Sequence, residues 1–187
     1  MNPALPLQPD ELAAWVRKAQ GGNREAMDHL LRTHEQGVLR VALRMLGRLE
    51  DAQDAAQEVF LRLCRSLDQF DDTRELRPWV YRMTVNVCLD MLRRRRTQLE
   101  LVDEGAALPV AERRLIEEER KAAVEWGLSR LAPRERAALL LREVEGLTTR
   151  EVAVALEVEE ATVRSLIYQA RGHLREWVKR YEGRVRK

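Results

Sequence analysis

Apolar residues recur along most of this chain at intervals of three and four positions, which is the spacing of one face of an α-helix. Alternating runs of β-branched and aromatic residues, which indicate strands, do not occur. We therefore predict an all-α fold. The clearest helix covers about 50–67, where one side is apolar and the opposite side is mostly acidic and polar. Its apolar side consists of Ala52, Ala55, Ala56, Val59, Phe60 and Leu63.

Capping residues, glycines and prolines divide this pattern into separate helices. Asp10 and Asn23 are suitable N-caps, and Gly21 and Gly47 are suitable helix ends. Pro78 suits the first turn of a helix, because its missing N–H is not needed there. The first four predicted helices cover 10–20, a segment that begins at 23, 35–46 and 50–67. A fifth begins at about 78 and runs into the arginines at 93–96. The remaining helices cover 111–131 and 134–144, with two short helices within 147–171.

A change of composition after Arg96 predicts two domains. The stretch from Thr97 to about Val110 contains glycine and proline, is mostly acidic and has no helical period, which is typical of a linker. The fold class is therefore two small helical domains joined by a flexible acidic linker. We expect an N-terminal arm and short helix at 1–22, a first domain at 23–96, the linker at 97–119, a second domain at 120–178 and a basic tail at 179–187.

Charge and chemistry narrow the function classes. Lysine and arginine total 33 against 31 acidic residues, but four consecutive arginines at 93–96 and the acidic stretch 100–119 are well separated. This distribution favours a polyanionic partner and a second, different surface. The three histidines have no metal-ligand spacing, and no nucleophile elbow or phosphate loop occurs, so we expect no catalytic residue, metal or cofactor. Asp51, Asp54 and Glu58 could mimic a metal cluster but are better placed for a protein partner.

The cysteines and the hydropathy pattern bear on the compartment. Cys64 and Cys88 both fall at apolar positions of helical patterns, so we expect buried free thiols in a reducing compartment. No apolar run approaches the roughly 20 residues that span a bilayer. The N-terminus lacks the basic start and apolar core of a signal peptide. We therefore expect a cytoplasmic protein without membrane insertion.

The segment LTTREVAVALEVEEATVRSLIYQAR, residues 147–171, has the pattern of a helix-turn-helix. Thr148 or Thr149 can cap the first helix with Glu151 completing a capping box, and the small Ala153 allows a steep helix crossing. In a DNA-binding helix-turn-helix the second helix enters the major groove. An ordinary solvated helix face is the alternative. The outward residues are Arg164, Ser165, Tyr168 and Arg171, with Gln169 beside them.

Three motifs, DAQDAAQEVFLRL, RPWVYRMTVN and LLLREVEGLTTREVA, together resemble bacterial sigma factors of the extracytoplasmic-function (ECF) group. Residues 23–96 are similar to sigma region 2 and residues 122–177 to region 4. The resemblance implies a subunit that binds core RNA polymerase, directs it to promoters and helps to melt them. It also implies contacts with the beta-prime clamp and the beta flap, and a dedicated anti-sigma factor.

The resemblance assigns roles within region 2. Asp54, Gln57 and Glu58 match the helix that docks on the beta-prime clamp, and their acidic surface suits a protein partner. The loop 71–77 and the following helix match the part that engages the −10 element, where unpaired bases need stacking and polar groups. Trp79 could equally belong to the core. The −10 candidates are Arg74, Arg77, Trp79, Arg82, Asn86 and Arg93.

In region 4 the resemblance assigns the −35 element to Arg164, Ser165, Tyr168, Gln169 and Arg171. The family usually has glycine where Glu157 stands, so this turn must close without a positive φ or carry strain. Fewer basic residues near Leu166 and Gln169 predict weaker nonspecific DNA binding and a shallower salt dependence. The acidic linker could thread a basic polymerase channel or serve as a solvated tether.

Two other function classes compete with the sigma-factor hypothesis. A free-standing regulator could dimerise on a palindrome through the helix-turn-helix, but it has no need for the surface around Gln57 and Glu58. A helical nuclease or hydrolase is the second alternative, and it lacks a recognisable catalytic motif. Binding of core polymerase distinguishes the sigma factor from both.

Overall fold

The computed structural model describes residues 9–100 and 115–185, and all regular structure within them is helical, as predicted. The predicted N-terminal arm and most of the predicted linker lie outside the described residues. The helices are α1 (Pro9–Gln20), α2 (Arg24–Leu46), α3 (Leu49–Ser66) with a 3-10 turn at Leu67–Gln69, α4 (Leu76–Glu100), α5 (Leu115–Arg130), α6 (Pro133–Leu139) continuing as a π-helical turn at Leu140–Val144, α7 (Thr149–Leu156) and α8 (Glu160–Val185).

Helix α2 corrects one prediction, because the two helices expected on either side of Glu35 are a single helix of 23 residues. Its ends are as expected: the Asn23 side chain accepts a hydrogen bond from Ala26 N at 2.9 Å, and Gly47 adopts a left-handed φ of 81°. The local break in apolar periodicity does not interrupt the helix, since His34 and Gly37 are both buried against neighbouring helices. Tertiary packing outweighs the low helix propensity of glycine.

Helices α1–α4 form the N-terminal module. Its core joins the apolar sides of α2, α3 and α4, with Leu30, Met45, Val59, Leu63 and Val80 fully buried. Helix α4 extends through Glu100, so the first four residues of the predicted linker are helical. Pro78 lies in its first turn, as predicted.

The two cysteines differ, which corrects the expectation that both are buried. Cys88 is buried, and burial raises the pKa of its thiol to about 12. Cys64 is exposed because the inward face of α3 ends at Leu63, so the next residue points outward. Only Cys64 is therefore open to a thiol reagent in the folded protein.

Helices α5–α8 form the C-terminal module, in which α5 and α6 pack along α8. The capping box predicted at the start of α7 is present: Thr148 caps the helix, and Glu151 accepts a hydrogen bond from Thr148 N at 2.6 Å. Glu157 ends α7 with φ 54° and ψ 48°, and it is the only non-glycine residue with positive φ in the described part of the chain. Of the two alternatives for this turn, the structure therefore has the one with a positive φ at Glu157, which is strained for a non-glycine residue.

The two modules pack against one another. Helix α7 lies against α4, and α2 contacts α5 and α6. Among the described residues, no helix is both long enough and apolar enough to cross a membrane.

Candidate nucleic-acid and protein interfaces

The outer side of α3 presents an acidic surface beside apolar groups. Asp54 and Gln57 are exposed, and Glu58 is half-buried with an ion pair to Arg62 at 2.7 Å. Leu61, on the next turn, remains 43% exposed. A row of carboxylates next to an uncovered leucine offers both charge and apolar area, which suits a protein partner and repels nucleic acid. The structure thus brings the three predicted polymerase-binding residues to one exposed surface.

The loop between α3 and α4 is held by its own side chains. Asp71 Oδ1 accepts hydrogen bonds from Thr73 N at 3.1 Å and from Thr73 Oγ1 at 2.6 Å, and Asp71 Oδ2 accepts from Arg74 Nε at 3.2 Å. These hydrogen bonds from Thr73, followed by the charge of Arg74, lower the pKa of the Asp71 carboxyl. The Arg74 guanidinium is nonetheless largely exposed and remains available to an anion.

The side chain of Trp79 is partly packed into the core of the N-terminal module. Its ring lies 4.8 Å from that of Phe70, centroid to centroid, and packs against the core while part of its surface stays exposed. The ring therefore supports the loop, as the core alternative expects, and its role at the −10 element stays a prediction.

The remaining −10 candidates fall into two groups. Asn86 and Arg93 are exposed, with Arg93 paired to Asp90 at 2.5 Å. Arg77 and Arg82 instead contact the C-terminal module. Arg77 Nη2 donates to the backbone oxygen of Glu145, and Arg82 Nη1 lies 3.2 Å from Glu157 Oε1. The two arginines nearest the start of α4 are thus occupied within the chain.

Glu145 is a buried polar centre that sequence analysis did not identify. Its side chain is only 2% exposed and accepts hydrogen bonds from Arg40 Nε and Nη2 at 2.6 and 2.9 Å and from the Tyr81 hydroxyl at 2.6 Å. Burial raises the pKa of the Glu145 carboxyl, but the hydrogen bonds from Arg40 and Tyr81 and the charges of Arg40 and Arg77 outweigh burial and lower it. The carboxylate is therefore ionised at neutral pH and fully paired.

Arg136 is a second buried polar group that the sequence pattern did not reveal. Its guanidinium donates to Met45 O at 2.6 Å, Ser129 O at 2.5 Å and Leu131 O at 3.2 Å. Met45 and Ser129 lie in the last turns of α2 and α5, where carbonyl groups lack helical partners. Burial lowers the pKa of Arg136 to about 10, so it remains charged at neutral pH and binds the ends of two helices from different modules.

The predicted −35 residues all lie exposed on α8. Tyr168 is 82% exposed, the largest value among the large apolar side chains that the structure describes. Arg164 pairs with Glu160 at 3.5 Å and Arg171 with Glu143, while Ser165 and Gln169 are also exposed. Both arginines are held on the surface by exposed acidic partners, from which a phosphate or a guanine edge could take them.

The buried imidazole of His34 predicts a loss of stability in acid. Burial first, and then the charge of Arg77, lower its pKa to about 4, whereas the unfolded chain has the ordinary value near 6.5. As the pH falls below 6.5 the unfolded state binds the proton first, so the free energy of unfolding should fall by roughly 3 kcal/mol by pH 4. Urea unfolding at pH 7, 5.5 and 4 measures this, with His34→Leu as the non-titrating variant. The variant should lose less stability over this range, and equal slopes would contradict the assignment.

Comparison with known proteins identifies the family. Residues 30–98 match the Sigma-70 region 2 family and residues 127–174 match Sigma-70, region 4. The chain is 35% identical to the ECF RNA polymerase sigma factor SigE of Mycolicibacterium smegmatis over 86% of this chain and 65% of that protein. It is 35% identical to SigM of Mycobacterium tuberculosis over 82% of this chain and 77% of that protein. The chain belongs to the ECF RNA polymerase sigma factors.

Further relatives agree with this assignment. The RNA polymerase sigma-H factor of Pseudomonas aeruginosa is 30% identical, with 83% of this chain and 88% of that protein covered. Among solved structures, CnrH in complex with the cytosolic domain of CnrY matches with a TM-score of 0.70 and 25% identity, covering 89% of this chain and 96% of CnrH. The sigma factor RpoE of Bartonella quintana, solved with the anti-sigma factor NepR, shares the fold with a TM-score of 0.69 at 19% identity, covering 81% of this chain and 96% of RpoE. The expected family, two-domain helical fold and role in transcription initiation are confirmed for this ECF sigma factor.

Proposed function

We propose that this ECF sigma factor binds core RNA polymerase through α3. It engages the −10 element of the promoter through α4 and the −35 element through α8. The observation that carries the proposal is the separation of an acidic surface on α3 from arginine-bearing surfaces on α4 and α8. Acidic groups favour a basic protein surface and repel DNA, whereas the arginines favour DNA. The protein acts as a binding subunit and contributes no catalytic chemistry of its own.

Asp54, Gln57 and Glu58 are proposed to contact the beta-prime clamp, with region 4 on the beta flap. The three side chains share the exposed side of one regular helix whose other side is fully buried, so their spacing is fixed before binding. Rigid presentation of this kind reduces the entropy that association loses. Region 2 is proposed to span 23–96 and region 4 to span 120–178, with 97–119 as the linker and 179–187 as the tail.

The −10 element is proposed to lie along α4 and the loop before it. Arg74, Trp79, Asn86 and Arg93 retain exposed surface, which supplies charge, a stacking face and an amide. Single-stranded DNA is bound by this combination of basic groups and aromatic rings. Arg77 and Arg82 join this set when they leave their partners in the C-terminal module.

An anti-sigma factor is the proposed regulator, controlling a stress or envelope regulon in the cytoplasm. Support comes from the RpoE structure, which contains an anti-sigma factor, and from CnrH, which was solved with the cytosolic domain of CnrY. Such a partner would compete with polymerase if it covered the acidic surface of α3.

In vitro transcription tests the proposed function. Purified protein is mixed with bacterial core polymerase that carries no other sigma factor and with a library of promoter fragments, and the 5′ ends of transcripts are sequenced. We expect transcription start sites that depend on this protein and share two upstream motifs, about two turns of the DNA helix apart. Failure to bind core polymerase at all would overturn the proposal in favour of a free-standing regulator.

Removing two arginines from α8 should weaken −35 binding selectively. In the double variant Arg164→Ala and Arg171→Ala, loss of base and phosphate contacts should reduce affinity for duplex −35 DNA about 10- to 100-fold. Affinity for core polymerase should not change. Fluorescence anisotropy with labelled duplex measures the effect, and Lys121→Ala, at an exposed position of α5, serves as the control. Unchanged DNA affinity would place the recognition surface elsewhere.

A further inference from the structure

The N-terminal helix α1 lies before the segment that matches Sigma-70 region 2, which begins at residue 30. It is nevertheless packed on the N-terminal module, because Val16 and Ala19 are buried. Trp15 also stacks on His29 of α2, with 4.3 Å between the ring centroids. The helix contacts the 3-10 turn that follows α3. The surfaces proposed to bind polymerase and promoter DNA do not include α1.

Gln20, the last residue of α1, holds the 3-10 turn and the residue after it. Its side-chain amide nitrogen donates hydrogen bonds to Leu67 O at 2.9 Å and to Phe70 O at 2.8 Å. A side-chain amide has two N–H donors, so both are used. Gln20 therefore fixes the two ends of this turn from a different helix and keeps no donor for an external ligand.

The residues that follow this turn carry groups proposed to bind the −10 element. We call residues 70–75, between the 3-10 turn and α4, the promoter loop. Its first residue, Phe70, is only 8% exposed, and its ring lies against that of Trp79. Asp71 accepts a hydrogen bond from Arg74 Nε at 3.2 Å. The contact from α1 therefore lies directly beside a ring and a guanidinium that are both −10 candidates.

Arg17, one turn before Gln20, makes a second contact with the promoter loop. Its Nη1 lies 3.0 Å from Asp72 Oδ2, although the two residues are 55 positions apart. The ion pair neutralises a carboxylate of the loop, where negative charge repels DNA. Because the Arg17 side chain is 59% exposed, we expect this pair to contribute less than the Gln20 hydrogen bonds.

We propose that α1 positions the promoter loop for the −10 element, with Gln20 and Arg17 as positioning residues that fix the loop in the absence of DNA. A short loop loses conformational entropy when a ligand orders it, whereas a loop that is already ordered does not. The contacts from α1 therefore raise the affinity for −10 DNA without touching the DNA. The effect on DNA rests on the proposed function of the loop, whereas the bracing of the loop by α1 does not.

Hydrogen exchange measures the bracing and requires no DNA. Peptide mass spectrometry of the full chain follows the backbone amides of residues 68–75. Gln20→Met keeps the length of the side chain but removes both donors, so these amides should exchange about tenfold faster. Gln20→Glu, which keeps the shape and has no donor at neutral pH, should do the same. Gln36→Met, the same change at an exposed position of α2, should leave the exchange unchanged.

Helix α7, in the other module, is the internal reference for this measurement. The expected result is faster exchange in the promoter loop and unchanged exchange in α7. Equal acceleration in both would show that Gln20 stabilises the whole chain and does not act on the loop, which would overturn the proposal. Unchanged exchange in the promoter loop would overturn it as well.

DNA affinity tests the consequence for the −10 element. The holoenzyme is titrated with labelled fork-junction DNA of a promoter found in the transcription assay. Gln20→Met should bind this DNA about tenfold more weakly with the same salt dependence, because no phosphate contact is lost. Its affinities for duplex −35 DNA and for core polymerase should not change. Faster loop exchange with unchanged fork-junction affinity would overturn the role in DNA binding while the bracing stands.

The exposed pair of Arg17 and Asp72 can be removed without risk to the fold. Asp72→Asn removes a negative charge beside the DNA, which by charge alone tightens binding. Positioning predicts the opposite: fork-junction affinity should fall about two- to threefold, whereas Arg32→Gln, which breaks the exposed pair with Asp28 on α2, should bind normally. Equal or tighter binding by Asp72→Asn would overturn the role of Arg17. If no promoter is found, the proposed function fails together with the effect on DNA, and hydrogen exchange still decides the bracing.

Discussion

Reversing the charge of Asp54 and Glu58 to lysine should abolish formation of the holoenzyme. The surface of α3 would change from two carboxylates to two ammonium groups, and like charges placed together across an interface oppose association by several kcal/mol. Each 1.4 kcal/mol reduces affinity tenfold, so we expect a loss of at least about 1000-fold. The fold should persist, because lysine is a good helix former and the Glu58–Arg62 pair contributes only about 0.5 kcal/mol.

The measurement is titration of fluorescently labelled variant with core polymerase, with circular dichroism as the test of folding. Asp28→Lys together with Glu35→Lys is a matched control, since both residues are exposed on α2 and Asp28 also has an i,i+4 arginine partner. The control should bind normally and the α3 variant should not. Normal binding by the α3 variant would move the docking surface to another helix.

The local features of the fold could be predicted because each depends on neighbouring residues. The cap at Asn23, the left-handed Gly47 and the capping box of Thr148 and Glu151 are all confirmed. The boundary expected near Glu35 was wrong because a weak point in local propensity is overruled by packing that the local pattern does not contain. The exposure of Cys64 was missed for a related reason: an apolar-type residue one position beyond the inward face of α3 is easily assigned to that face.

The contact between the modules could not be predicted from the pattern of the sequence. Glu145 and Arg40 are 105 positions apart, and Arg136 and Met45 are 91 apart, so no helical period relates them. A buried glutamate or arginine also looks like a surface residue in a hydropathy pattern. Glu157, which stands where the family usually has glycine, was the one signal of this contact in the sequence. Its ion pair with Arg82 in the structure explains that signal.

Replacing the buried Arg136 should destabilise the whole protein more than any surface substitution. Arg136→Met keeps an apolar stem but leaves the carbonyl oxygens of Met45, Ser129 and Leu131 without their donor. Charge-assisted hydrogen bonds contribute about 1.5–3 kcal/mol each, and relief of the buried charge offsets part of their loss. We expect a net loss of about 3 kcal/mol, which lowers the melting temperature by about 6–12 °C for a chain of this size.

Differential scanning calorimetry measures this loss, and two variants determine its cause. Arg134→Met, at an exposed position of the same helix, should melt like the unsubstituted protein. Arg136→Lys should fall between the two, because one ammonium group cannot reach carbonyls at the ends of both α2 and α5 as a guanidinium does. Met45 belongs to one module and Ser129 to the other. If only the melting temperature of the C-terminal module falls, the stabilisation comes from the contact with α5 alone. If the melting temperatures of both modules fall, one buried charge joins the two folding units. Equal melting temperatures of Arg136→Met and Arg134→Met would contradict the prediction.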